Sequence, residues 1–78
     1  MSEKEIYERL ESVFEDVFDE SIKLSADTTA EDVEDWDSLT HITLIAAVEG
    51  EFGVRFNMKE VSSMKNVGEM VSIIKERA

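Results

Sequence analysis

Ser38 and His41 are the side chains of this sequence whose types and spacing best suit covalent chemistry. They lie in EDWDSLTHITLIAAVEGEF, residues 34–52, where an acidic segment gives way to an apolar run. A serine at that junction has four readings: a helix cap, a nucleophile, a phosphorylation site or the attachment point of a prosthetic group. On a helix, His41 would come within reach of the Ser38 hydroxyl. A catalytic triad also needs an oriented imidazole, an oxyanion hole and a pocket. A chain of 78 residues with one histidine has little from which to build them, so no enzyme is expected. His41 is then a solvated residue, or a ring lying on Trp36 across the helix start in the manner of a hydrophobic staple. In the plainest reading Ser38 is the first residue of a well-capped helix.

Metal chemistry finds no support. There is no cysteine, which removes disulfides and thiolate metal sites. Any thiol would have to be imported. A calcium loop starting at Asp27 puts Asp32 where glycine is needed and Ser38 where a bidentate glutamate is needed. Starting at Asp32 puts Trp36 at a ligand position and Asp37 at the glycine position. Attachment of a phosphate diester fits better. A helix N-terminus presents unpaired N–H groups and a partial positive charge, which favour a bound phosphate. That helix end must also compensate for the charge of Asp37.

The rest of the composition narrows the partners. Eight basic residues against nineteen acidic ones give a formal charge of −11. Nucleic acid and anionic membrane are unsuited, because phosphate binding needs clustered Lys or Arg. A basic protein surface is the natural complement, reached through electrostatic steering. Self-repulsion should make the fold more stable in salt or magnesium. The first residues, MSEKEIYERL, have neither a basic segment nor an apolar stretch of the targeting kind. A cytoplasmic location and a monomer are expected.

The elements that must position Ser38 can be read from local signals. The absence of proline and the count of three glycines favour helices. Ser2 and Glu5 make a capping box for a first helix, with Ile6, Leu10, Val13, Phe14 and Val17 on one face and Phe18 closing it. Glu8, Glu11 and Glu15 point away. Residues 19–36 show no sustained period and form a long loop, pinned by Ile22, Leu24, Val33 and Trp36 with a short turn near Ala30 to Val33. Asp37 caps a second helix running to about Phe52, and Gly53 suits the residue past its end. Val54 and Phe56 dip into the core. Asn57 with Glu60 opens a short helix, and Asn66 with Glu69 opens the last one, where Val67, Met70, Val71 and Ile74 make the apolar face. Lys75 and Arg77 suit its negative end. The prediction is an all-α fold in one domain, 1–78: a four-helix bundle of three long helices and one short helix, with a long first loop.

The second helix has more apolar surface than one core contact needs. Leu44, Ala47, Val48 and Phe52 form one stripe, and Leu39, Ile42, Ile45 and Ala46 a second. Either the helix is buried nearly all round, or part of the second stripe is an exposed docking patch with Glu49 and Glu51 as its charged rim.

DSLTHITLIAAVEGEF resembles the Asp-Ser-Leu segment and second helix of acyl carrier proteins. The likeness extends over essentially the whole chain, from the acidic first helix through the long loop to FGVRF and the last helix. It implies that Ser38 carries 4′-phosphopantetheine, transferred from coenzyme A by a phosphopantetheinyl transferase. Asp37 would cap the helix and aid recognition by that enzyme. Leu39 and Ile42 would face the partner near the arm, and Ile45, Ala46 and Glu49 would extend that face. The reactive thiol would belong to the arm, with cargo held as a thioester. Partners would be a loading ligase for acyl or aminoacyl groups and acyl-transferring or modifying enzymes with basic surfaces. The family's fatty-acid carriers usually have glycine shortly before Asp-Ser-Leu, where this chain has Asp35 and Trp36. Thr40, Thr43 and Gly50 stand where acidic residues are common. These departures point to a discrete carrier of a specialised pathway. The alternative is an acidic helical interaction module without a prosthetic group.

Overall fold

A computed structural model describes all residues, 1–78. The chain forms four helices: α1 (Glu3–Phe18), α2 (Ser38–Phe52), α3 (Met58–Ser63) and α4 (Val67–Arg77). Each begins at a short polar side chain whose oxygen accepts an otherwise orphaned N–H. Ser2 serves α1 through the N–H of Glu5, without the return bond that would complete the expected box. Asn57 and Glu60 form a complete capping box on α3, and Asn66 caps α4. Helix α2 ends at Gly53, whose φ of 66° is the left-handed conformation that glycine adopts without steric penalty. Asp19 takes the same conformation after α1, where a short polar side chain is tolerated.

The core is where the apolar faces of α1, α2 and α4 meet. It holds Ile6, Leu10 and Phe14 from α1, Leu44 and Val48 from α2, and Val67, Met70 and Ile74 from α4. Trp36 closes the end near the start of α2, with its ring edge-on to Phe14 at 5.3 Å between centroids. Val54 is buried and Phe56 half-buried behind Gly53. On the outside of α1, Arg9 lies over the Phe52 ring and pairs with Glu51 at 2.9 Å, linking α1 to α2.

The long first loop is held at both faces. Val33 and Trp36 are buried, and Ile22 and Leu24 pack on the core from its edge. A turn at residues 30–32 lies where it is expected. Two attachments were not legible in the sequence. The Glu11 carboxylate, expected to point to solvent, accepts the Leu24 N–H at 3.0 Å. The loop also docks on the start of α4, where Val67 N–H bonds to Thr28 O at 2.9 Å and Gly68 N–H to Ala26 O at 3.0 Å. A Cβ on Gly68 would meet both Ala26 O and Ala26 Cβ at 3.0 Å, so this contact depends on glycine. No helix is long and apolar enough to cross a membrane.

Candidate functional site at the start of helix α2

Asp37 sets the geometry of the site. One carboxylate oxygen accepts the N–H groups of Leu39 and Thr40, both at 3.0 Å. The Thr40 hydroxyl accepts the Asp37 N–H at 2.7 Å, which completes a capping box, and it donates to Asp35 O at 2.8 Å. Thr40 thus has a role that reading it as a missing acidic residue did not reveal. The bond from the Thr40 N–H is the main cause that holds the Asp37 carboxyl below its ordinary value of 3.8, against an opposing effect of burial. The Leu39 N–H and the Thr40 hydroxyl add to the lowering.

Ser38 is the first helical residue and is exposed. Its hydroxyl has no hydrogen-bond partner within the chain, although the Thr40 hydroxyl beside it has several. The helix end is less open to an anion than the sequence suggested. Asp37 already occupies the N–H groups of Leu39 and Thr40 and accepts the His41 N–H through its carbonyl, leaving only that of Ser38 free of them.

Beyond Ser38 runs an open groove of about 860 Å³ between α2 and the segment that carries α3. Trp36, Ile45, Phe56, Val61 and Met64 give it an apolar lining. The proposed docking residues divide. Leu39 is 79% exposed, Ile42 66% exposed, and Ala46 is also on the surface. Ile45 is only 6% exposed, so it does not stand out with them as a docking residue. Its side chain joins the core cluster and lines the groove. Glu49 is no free rim charge either, because its half-buried carboxylate accepts the Phe56 N–H at 2.8 Å. Met58, at the start of α3, is 85% exposed on the groove, and nothing in the sequence marks it as a site residue. Its place on the groove that Ile42 also lines is set by tertiary packing, which leaves no local signal.

His41 is not solvated. Its ring stacks on Trp36 with centroids 5.8 Å apart, and Nδ1 accepts the indole N–H at 3.0 Å. Its other nitrogen lies 3.1 Å from the Val61 carbonyl oxygen. No nucleophile–base contact exists, since both ring nitrogens are engaged away from Ser38. No group of three or more His, Cys, Asp or Glu side chains is arranged to hold a metal ion.

Residues 8–74 match the family model for the phosphopantetheine attachment site. The chain belongs to this family. Its fold is similar to the solution structure of a holo acyl carrier protein from Geobacter metallireducens. The TM-score is 0.85 at 34% identity, covering 92% of this chain and 84% of that one. No curated protein sequence matches the chain significantly. The chain is therefore an acyl carrier protein with 4′-phosphopantetheine as its prosthetic group, and it is a carrier, not an enzyme. The family match decides against an interaction module that lacks the arm. As a member of the family, the carrier interacts with a phosphopantetheinyl transferase and with biosynthetic enzymes.

Proposed function

We propose that Ser38 is the residue through which this carrier holds its arm, and that the surface around it delivers cargo to successive enzymes. The observation that carries this is the exposed Ser38 hydroxyl, which has no partner and sits in the first turn of α2 at the mouth of the groove. The site suits the group: nothing within the chain competes for the hydroxyl, and no side chain covers it. In the loading step the Ser38 oxygen forms a bond to phosphorus. The pyrophosphate bond of coenzyme A breaks, adenosine bisphosphate leaves, and the serine proton passes to a base on the transferase. The bound group supplies a thiol that carries acyl cargo as a thioester.

The chain's own residues supply position and recognition. Asp37 and Thr40 fix the backbone of the first turn, which holds Ser38 at the exposed tip of the helix. Leu39, Ile42 and Ala46 form an exposed apolar strip along α2, suited to an apolar patch on a partner. The net charge of −11 favours partners with basic surfaces and fast encounter. Contacts of this kind are small and transient, as a carrier that visits several enzymes requires. Trp36 before Asp-Ser-Leu and the neutral Thr40, Thr43 and Gly50 support a dedicated carrier of a specialised cytoplasmic pathway, loaded by an acyl or aminoacyl ligase. The test is incubation with coenzyme A and a broad-specificity phosphopantetheinyl transferase, followed by intact-mass measurement. One arm mass should be gained, and Ser38→Ala should gain none. A Ser38→Ala chain that still gains the arm would place the attachment elsewhere.

A further inference from the structure

Helix α3 forms one side of the groove, yet none of its residues is buried. Val61 and Met64 touch the core only in part. What else holds the helix is polar. Arg77, from the end of α4, grips the Glu60 carboxylate through two nitrogens and also donates to Arg55 O at 2.8 Å. On the groove side the connection is His41, reaching from the first turns of α2 to the Val61 carbonyl.

The geometry of His41 selects one state of its ring. The indole N–H of Trp36 can only donate, so Nδ1 must accept. The Val61 carbonyl can only accept, so Nε2 must carry the proton. One neutral tautomer satisfies both neighbours, and the stacked indole fixes the plane of the ring. His41 thereby joins three parts of the chain: the end of the first loop, α2 and α3. Both Trp36 and His41 line the groove next to Ser38.

We propose that His41 is a positioning residue for the arm site: held by Trp36, it fixes α3 as the wall of the groove that begins at Ser38. When the Val61 bond is released, the wall can swing while the core stays packed, because α3 contributes no buried side chain to it. The functional consequence rests on Ser38 as the attachment residue, but the latch itself is a property of the unmodified chain.

The two bonds can be separated by substitution. In His41→Asn the amide oxygen takes the place of Nδ1, keeping the indole bond and losing the Val61 bond. In His41→Gln the amide nitrogen takes the place of Nε2, keeping the Val61 bond and losing the indole bond. His41→Ala loses both. Amide hydrogen exchange across the full chain reads the wall, and Trp36 emission reads the indole bond. In His41→Ala and His41→Asn, the α3 amides including Val61 should exchange about five-fold faster, the factor that one hydrogen bond of ordinary net strength supplies. Those of α1 and α4 should hold their rates. His41→Gln should rescue α3 exchange while shifting Trp36 emission, and His41→Asn should do the reverse. The same contrast should persist in a Ser38→Ala background, so failure of the arm to attach leaves this result intact. Unchanged α3 exchange in His41→Ala overturns the proposal. So does failure of His41→Gln to rescue, or an equal rise in α1 and α4, which would make His41 a general stabiliser.

Discussion

Helices α1 and α3 are held by different forces. Helix α1 buries Ile6, Leu10, Val13, Phe14 and Phe18. Helix α3 has no fully buried residue: Val61 packs only partly on the core, and the rest of its hold is a cap, an ion pair and an imidazole. Apolar burial is non-directional and spread over many contacts, so no single bond controls it. Polar attachments are directional and few, so removing one changes the position of the element. The difference assigns two tasks to one small chain. The core of α1, α2 and α4 keeps the start of α2 rigid, and α3 supplies a wall that can be adjusted.

The sharpest way to break this comparison is to attack the core. Phe14→Ala should cost about 3–5 kcal/mol, because it leaves a cavity among Phe18, Trp36 and their neighbours. Thermal unfolding followed by circular dichroism should show a much lower Tm, with all helices lost together. Loss of α3 alone would show that Phe14 supports α3 and not the shared core.

Arg77→Ala tests the other side. It frees Glu60 and the Arg55 carbonyl and should raise exchange in α3, with a much smaller fall in Tm than Phe14→Ala gives. Equal falls in Tm would mean that α3 is as much a part of the core as α1.

Acid should act on the caps and the ion pair before the core. The Asp37 carboxyl is held below 3.8 chiefly by the Thr40 N–H, and the Glu60 carboxyl below 4.5 chiefly by Arg77. Both values are depressed by folding. Each group therefore stabilises the fold at pH above its ordinary value, and that contribution is lost progressively as the pH falls from there through the lowered value of the folded chain. Urea unfolding at neutral pH and near pH 3 should show a smaller difference for Asp37→Asn and for Glu60→Gln than for the unaltered chain. An unchanged difference would show that neither carboxylate contributes.

The smallest effect on stability should come from Ile42→Asp. Its side chain is 66% exposed, and the change should alter stability by no more than about 0.5 kcal/mol while weakening binding to a partner enzyme. A large loss of helicity would move Ile42 into the core and shrink the docking strip.

The helix limits were legible because their causes are local. Asp37, Gly53, Asn57 and Asn66 each act on backbone groups within a few residues of themselves, so the neighbouring sequence is enough to mark each as a cap. The faces of α2 were not legible. Ile42 and Ile45 stand in the same apolar run, yet one faces solvent and the other joins the core. What separates them is the tertiary packing that draws Ile45 into the core cluster. Glu49 escaped for a similar reason, since its partner is the N–H of Phe56 across the following loop. His41 was legible as far as Trp36, five residues away, but not as far as Val61, twenty residues away.

The Asp37 cap has one more consequence. Because its carboxylate takes the N–H groups of Leu39 and Thr40, the tip of α2 keeps little grip for a phosphodiester on Ser38. The phosphate of a tether there would be fastened by its covalent bond to Ser38 alone, with no clasp from the helix end to undo first. An enzyme that turns the tether toward itself would not have to strip that phosphate from Leu39 or Thr40.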